Sequence, residues 1–139
     1  MKAKFILEII CFLLILLFVY AGCSKLMDYN AFKAQLSASP YIKNAASILA
    51  WLLPVIEIAS AALLTVRITR LYGLIASMLL LLAFTGYISA MLLSGVHLPC
   101  SCGGVIKQLS WNQHLLFNLF FIMVSGIGIV LRQKLRYRL

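Results

Sequence analysis

Four apolar segments, at about residues 5–22, 45–66, 71–94 and 113–131, take up most of this 139-residue chain. Each is close to the roughly 20 residues that a helix needs to cross the hydrocarbon core of a bilayer. Inside lipid the backbone N–H and C=O groups find no water, so each segment must satisfy them as a helix or as part of a closed barrel. No alternating strand pattern competes, and the sequence therefore predicts an all-α, polytopic, four-helix membrane bundle in a single domain over residues 1–139. The composition, 64% hydrophobic and 11% charged, excludes an ordinary soluble enzyme, where about 45–50% and about 25% are usual. A formal charge of +9 would by itself suit a nucleic-acid binder. The apolar runs argue against that partner and for the lipid bilayer.

Charge position gives an orientation. An even number of spans puts both chain ends on one side with the link holding Arg67 and Arg70. That side collects eight Lys and Arg (Lys2, Lys4, Arg67, Arg70, Arg132, Lys134, Arg136, Arg138) against four (Lys25, Lys33, Lys43, Lys107) on the other. By the positive-inside rule the termini are cytoplasmic, and the loops at about 23–44 and 95–112 face outward, as in a bacterial inner-membrane protein. The Arg132–Leu139 segment then reads as an anchor to anionic lipid. A competing reading takes Met1–Cys23 as a signal peptide ending in the lipoprotein-like box Tyr20-Ala21-Gly22-Cys23. Tyr20 and Glu8 both sit poorly in such a signal.

In the first outer loop Asp28 is expected to cap a short interfacial helix reaching about Leu36, with Leu26, Met27, Tyr29, Phe32 and Leu36 on its apolar face. Ser39-Pro40 would stop it. The second outer loop contains His97-Leu98-Pro99-Cys100-Ser101-Cys102-Gly103-Gly104, after which Ser110 and Gln113 form a capping box for the last span, with Trp111 at the interface.

The chemistry available to such a chain lies in its thiols and its few buried polar groups. Cys100 and Cys102, one residue apart on an oxidising face, suit disulfide exchange, because so small a ring is strained and comparatively oxidising. Cys23, expected at the outer end of the first span, could resolve a mixed disulfide. A static disulfide and a metal site using His97, Cys100 and Cys102 remain open beside exchange, although the spacing matches no standard zinc pattern. Cys11, in mid-span, reads as a small apolar residue. Glu57 lies in mid-span three residues after Pro54, where an ionised carboxylate is costly and a functional role is the default hypothesis. His114, Asn118 and Ser125, on one face of the last helix, are the expected partners, with Thr85 and Ser89 on the third. Interhelical hydrogen bonding, a proton path and a quinone site at Glu57, His114 and Asn118 all fit that stripe. Glu8 lies near enough to the cytoplasmic end to reach water or a Lys. Gly73, Gly86, Gly126 and Gly128 suit close helix contacts.

Cys23-Ser24-Lys25-Leu26-Met27-Asp28 with Phe32, then Leu53-Pro54-Val55-Ile56-Glu57, Pro99-Cys100-Ser101-Cys102-Gly103-Gly104 and Ser110-Trp111-Asn112-Gln113-His114 together resemble the DoxX-like superfamily, and within it the MauE branch. The resemblance spans nearly the whole chain. It implies a four-helix inner-membrane protein with a redox-accessory role in methylamine utilisation, helping a disulfide-rich dehydrogenase subunit mature beside a thioredoxin-like partner. It also implies that Cys100 and Cys102 are the redox pair, and that Lys25, Asp28, Pro54 and Glu57 are family positions without an assigned role. A non-catalytic membrane subunit or assembly factor with a structural disulfide is the alternative, and a metal-handling protein the third reading. In plan the chain is similar to quinone-linked disulfide oxidases, an analogy of architecture alone.

Overall fold

The computed structural model describes residues 2–38, 43–94 and 111–137. Five α-helices fill them: α1 (Lys2–Met27), α2 (Tyr29–Ala38), α3 (Ala46–Thr65), α4 (Arg70–Ser94) and α5 (Trp111–Tyr137), with a 3-10 turn at Lys43–Ala45 before α3. Four of them, all but α2, are long and apolar enough to cross a membrane. These match the four expected segments; α1 and α5 run beyond the expected bounds, α1 continuing as helix through Cys23 to Met27 and α5 to Tyr137, while α3 is one residue shorter at each end.

The buried positions of α1, Leu7, Ile10, Cys11, Leu14, Phe18, Ala21, Gly22 and Lys25, recur every three or four residues and so form one stripe. α1 packs against α3 and α5, and α4 packs against α3 and α5. Leu14, Phe18, Leu64, Leu74 and Leu81 fill the centre. The outer faces stay apolar, with Phe12, Trp51, Leu79 and Phe120 each at least half exposed, as lipid-facing surfaces should be.

Small residues set the helix spacing at particular points. A Cβ built on Gly22 would lie 3.3 Å from the Pro54 carbonyl oxygen and 2.9 Å from Ile58 Cγ1, so α1 and α3 nearly touch there. At Gly73 it would meet the Leu64 backbone nitrogen at 2.9 Å, which fixes α4 against α3. Gly128 plays the same part against Leu74 and Ile10. Gly126 makes only an ordinary contact with Met78, and Gly86 has nothing within 4 Å. The expectation of a close contact therefore fails at Gly86, which is exposed.

The contacts of Gly22 with Pro54 and of Gly73 with Leu64 fix the helix directions. One end of the bundle holds the start of α1, the α3–α4 link and the last turns of α5, with Lys2, Lys4, Arg67, Arg70, Arg132, Lys134 and Arg136. This is the basic end. The other end holds Met27, α2, the start of α3, Ser94 and Trp111. Asp28 is the single turn residue between α1 and α2, and backbone bonds from Asp28 N–H to the Ser24 carbonyl (3.2 Å) and from Phe32 N–H to the Asp28 carbonyl (3.0 Å) carry the chain through the bend. Folded back, α2 buries Phe32 and Leu36 against Ala46 and Ala50 of α3. The expected short helix is thus present and runs slightly longer, to Ala38. Leu26 and Met27, placed on its apolar face from sequence, belong instead to α1 and are exposed.

Candidate functional site

Beneath α2 lies a buried ion pair: Lys25 Nζ donates to Glu57 Oε1, and the two side chains are 2% and 1% exposed. Lys25 was expected in an outer loop with Lys33 and Lys43. It is instead the last inward residue of the α1 stripe, and its long side chain runs back along the helix toward Glu57. Glu57 accordingly finds its partner on α1, and not first on the polar stripe of α5. The signal was present in the sequence, since Lys25 continues the three-to-four spacing set by Phe18, Ala21 and Gly22.

Two aromatic rings finish the ammonium's surroundings. Lys25 Nζ lies 4.6 Å from the Phe84 ring centroid and 5.7 Å from that of Phe32. Both distances fall within cation–π range. Phe32 comes from α2 and Phe84 from α4, so the covering helix contributes directly to the charged core.

Next to the pair is a cavity of about 30 Å³ lined by Lys25, Glu57, His114 and Phe84, with Phe18 and Ala21 of α1. That is room for one or two waters, since a water needs roughly 10–15 Å³ of such space. His114 therefore shares the site with Glu57, as the stripe on α5 suggested. His114, Asn118 and Ser125 are all buried, which establishes that this face turns inward. Among the described residues Glu57 Oε2, Asn118 Nδ2, Thr85 Oγ1 and Ser125 Oγ are buried without a hydrogen-bond partner. Glu57 thus has one oxygen committed to Lys25 and one with spare accepting capacity. A cofactor pocket usually measures about 300–1,000 Å³, so the space between Glu57 and His114 is water-sized.

A second ion pair ties the opposite end. Arg70 Nη1 donates to Glu8 Oε1 at 2.8 Å and Nη2 to Oε2 at 3.5 Å, while Nε donates to the Leu64 carbonyl at 3.3 Å. Glu8, expected to reach only water or a Lys, is thereby bound to the first residue of α4. Ser60 and Ser77, by contrast, donate to their own helices at the Ile56 and Gly73 carbonyls.

Of the cysteines, Cys11 is buried in the apolar core, as expected, and Cys23 is exposed near the α2 end. His97, Cys100 and Cys102 lie outside the described residues. So does Ser110, although α5 begins at Trp111, one residue after the position expected to cap it. Among the described residues no group of three or more His, Cys, Asp or Glu could hold a metal ion.

These features define the class: an all-α, multi-pass membrane bundle with a charged, water-sized core under a covering helix. The family model of the methylamine utilisation protein MauE matches residues 3–131, and the chain belongs to that family. Neither the curated proteins nor the solved structures returned a match.

Proposed function

We propose that this protein is an inner-membrane redox-accessory protein of the methylamine-utilisation type, which exchanges a disulfide with an extracytoplasmic thiol partner through Cys100 and Cys102. The observation that carries this reading is a convergence at one end of the bundle. Exposed Cys23, the covering helix α2, and the helix ends Ser94 and Trp111 that bracket the Cys-x-Cys segment all belong to that end. Thiol exchange conserves electrons: a partner thiolate attacks one sulfur of the Cys100–Cys102 disulfide, and a second partner thiol releases the mixed disulfide. The partner leaves oxidised and the chain leaves as a dithiol, or the same steps run in reverse. Cys23 acts in the reverse direction on this reading: once a Cys100 or Cys102 thiolate has opened a partner disulfide, the Cys23 thiolate displaces the partner as a dithiol and leaves Cys23 disulfide-bonded to that cysteine.

The buried core has a part in the same scheme. In exchange the two protons given up by the dithiol being oxidised pass to the dithiol being formed, and Glu57 Oε2, facing a water-sized cavity shared with His114, has an unoccupied acceptor that can hold one in transit. Glu57 and His114 then act as the proton-holding groups, with Asn118 one turn further along α5. The excess of Lys and Arg at the basic end supports a reading in which the α2 end faces the oxidising side.

Thiol labelling of intact cells, with and without reductant, tests the reading on the native chain and on Cys100→Ser and Cys102→Ser. A mixed disulfide trapped in one single-Cys variant supports exchange. If both cysteines stay oxidised under all conditions, and neither substitution alters the thiol state of any partner, the redox function is wrong. The alternative then holds, a non-catalytic assembly subunit whose disulfide is a fixed staple. Normal activity of well-expressed Glu57→Gln would remove the proton role alone.

A further inference from the structure

We infer that the basic end of the bundle contains a built site for the phosphate headgroup of an anionic phospholipid. A pocket of about 710 Å³ opens there between α1, the α3–α4 link, α4 and α5. Four cations line it, one from each of these parts: Lys4, Arg67, Arg70 and Arg132. Among the described residues a single carboxylate, Glu8, opposes them, and it is already bound by Arg70. Arg132 donates to the Arg67 carbonyl at 3.3 Å, which holds one guanidinium across the mouth. No ion-pair partner faces Lys4 or Arg67 among the described residues. Among the described residues the pocket therefore offers cationic donors from three directions and contains no unpaired anion to repel a phosphate.

Its remaining lining selects a lipid over a soluble anion. Phe5, 68% exposed, and Leu135 continue the wall from the charges onto the lipid-facing flank of the bundle. A headgroup seated among the cations can thus leave its acyl chains on apolar surface, whereas inorganic phosphate would use only the charged half. The pocket also lies at the depth where α1 starts and α5 finishes, the level of a headgroup for helices of this length. Basic pockets between helix ends bind anionic headgroups in this way, each Lys or Arg near the surface strengthening the attraction by about fivefold.

The test uses the full chain in nanodiscs of phosphatidylcholine containing a small fraction of phosphatidylglycerol, with bound lipid counted by native mass spectrometry. The Arg67→Ala/Arg132→Ala variant is expected to lose phosphatidylglycerol retention by roughly 25-fold. Lys134→Ala/Arg136→Ala, which removes the same charge from exposed positions that do not line the pocket, should retain it within about twofold, because exposed charges are screened within about 8 Å. Inorganic phosphate at millimolar concentration should not displace the lipid. Equal losses in the two double variants would overturn the site in favour of diffuse surface charge, and displacement by phosphate would overturn it in favour of a soluble-anion site. Should Arg67→Ala/Arg132→Ala fail to fold, Lys4→Ala carries the same comparison, with about a fivefold loss expected and no loss refuting the proposal.

Discussion

Breaking the Lys25–Glu57 pair from one side should destabilise the bundle far more than removing both charges. Both side chains are almost fully buried, and removing one member of such a pair costs about 3–5 kcal/mol, while replacing both with apolar residues of similar volume is often near neutral. The two single variants should also differ. In Glu57→Met the ammonium keeps the Phe84 and Phe32 faces, each worth about 0.5–2 kcal/mol when desolvated, and a Lys can move its head toward the α2 end. Its loss should fall near 3 kcal/mol. In Lys25→Met the carboxylate has no other hydrogen-bond partner among the described residues, so the loss should approach about 5 kcal/mol. The assay is a double-mutant cycle read by thermal unfolding in a mild detergent, where about 3 kcal/mol corresponds to roughly 10 °C in Tm. The double variant should recover most of the loss, giving a coupling above about 2 kcal/mol. Single losses below about 1 kcal/mol, or a double variant that loses the sum of the two, would refute the reasoning.

Other substitutions follow from the packing. Gly73→Ala places a methyl 2.9 Å from the Leu64 backbone nitrogen and should lower stability by about 1–3 kcal/mol, whereas Gly86→Ala meets open space and should leave Tm unchanged or slightly raised. Arg70→Lys loses the forked contact to Glu8 and the Nε bond to the Leu64 carbonyl, with an expected loss of about 1–2 kcal/mol measured the same way. With Cys100 and Cys102 replaced by Ser, a maleimide should label exposed Cys23 in the folded protein and buried Cys11 only after denaturation; prompt labelling at Cys11 would contradict the core assignment.

Span number, span position and the inward face of α5 were legible because they depend on length and on rare polar residues among apolar ones. His114, Asn118 and Ser125 stand out as a stripe, and that stripe is buried. The inward face of α1 was harder to read. Lipid is as apolar as Leu, so hydrophobicity does not distinguish a residue facing the bundle from one facing the bilayer. Leu14 and Leu16 look alike in the sequence, yet the first is 0% and the second 51% exposed. Lys25 was misread for a related reason: a Lys near a span end usually goes to water, and only the continuation of the α1 period shows that it turns inward. Glu8 and Arg70 lie far apart in the chain, and their pairing depends on the register between α1 and α4, which Gly73 and Gly128 set through contacts that periodicity alone does not reveal.

The position of both ion pairs on α1 bears on how the chain is made. α1, carrying Glu8 and Lys25, precedes α3 and α4 in the chain and so is made before them, while Glu57 follows Lys25 by 32 positions and Arg70 follows Glu8 by 62. Until α3 and α4 emerge, each early charge is without its partner, and each lies near an end of α1 where it can remain at the water interface. Burial of Lys25 needs Glu57 of α3, and the covering helix α2 likewise rests on Ala46 and Ala50 of α3. Burial of Lys25 thus reports on the docking of α3, and a chain lacking α3 would leave this cation without its carboxylate and Phe32 and Leu36 of α2 without the surface they pack on.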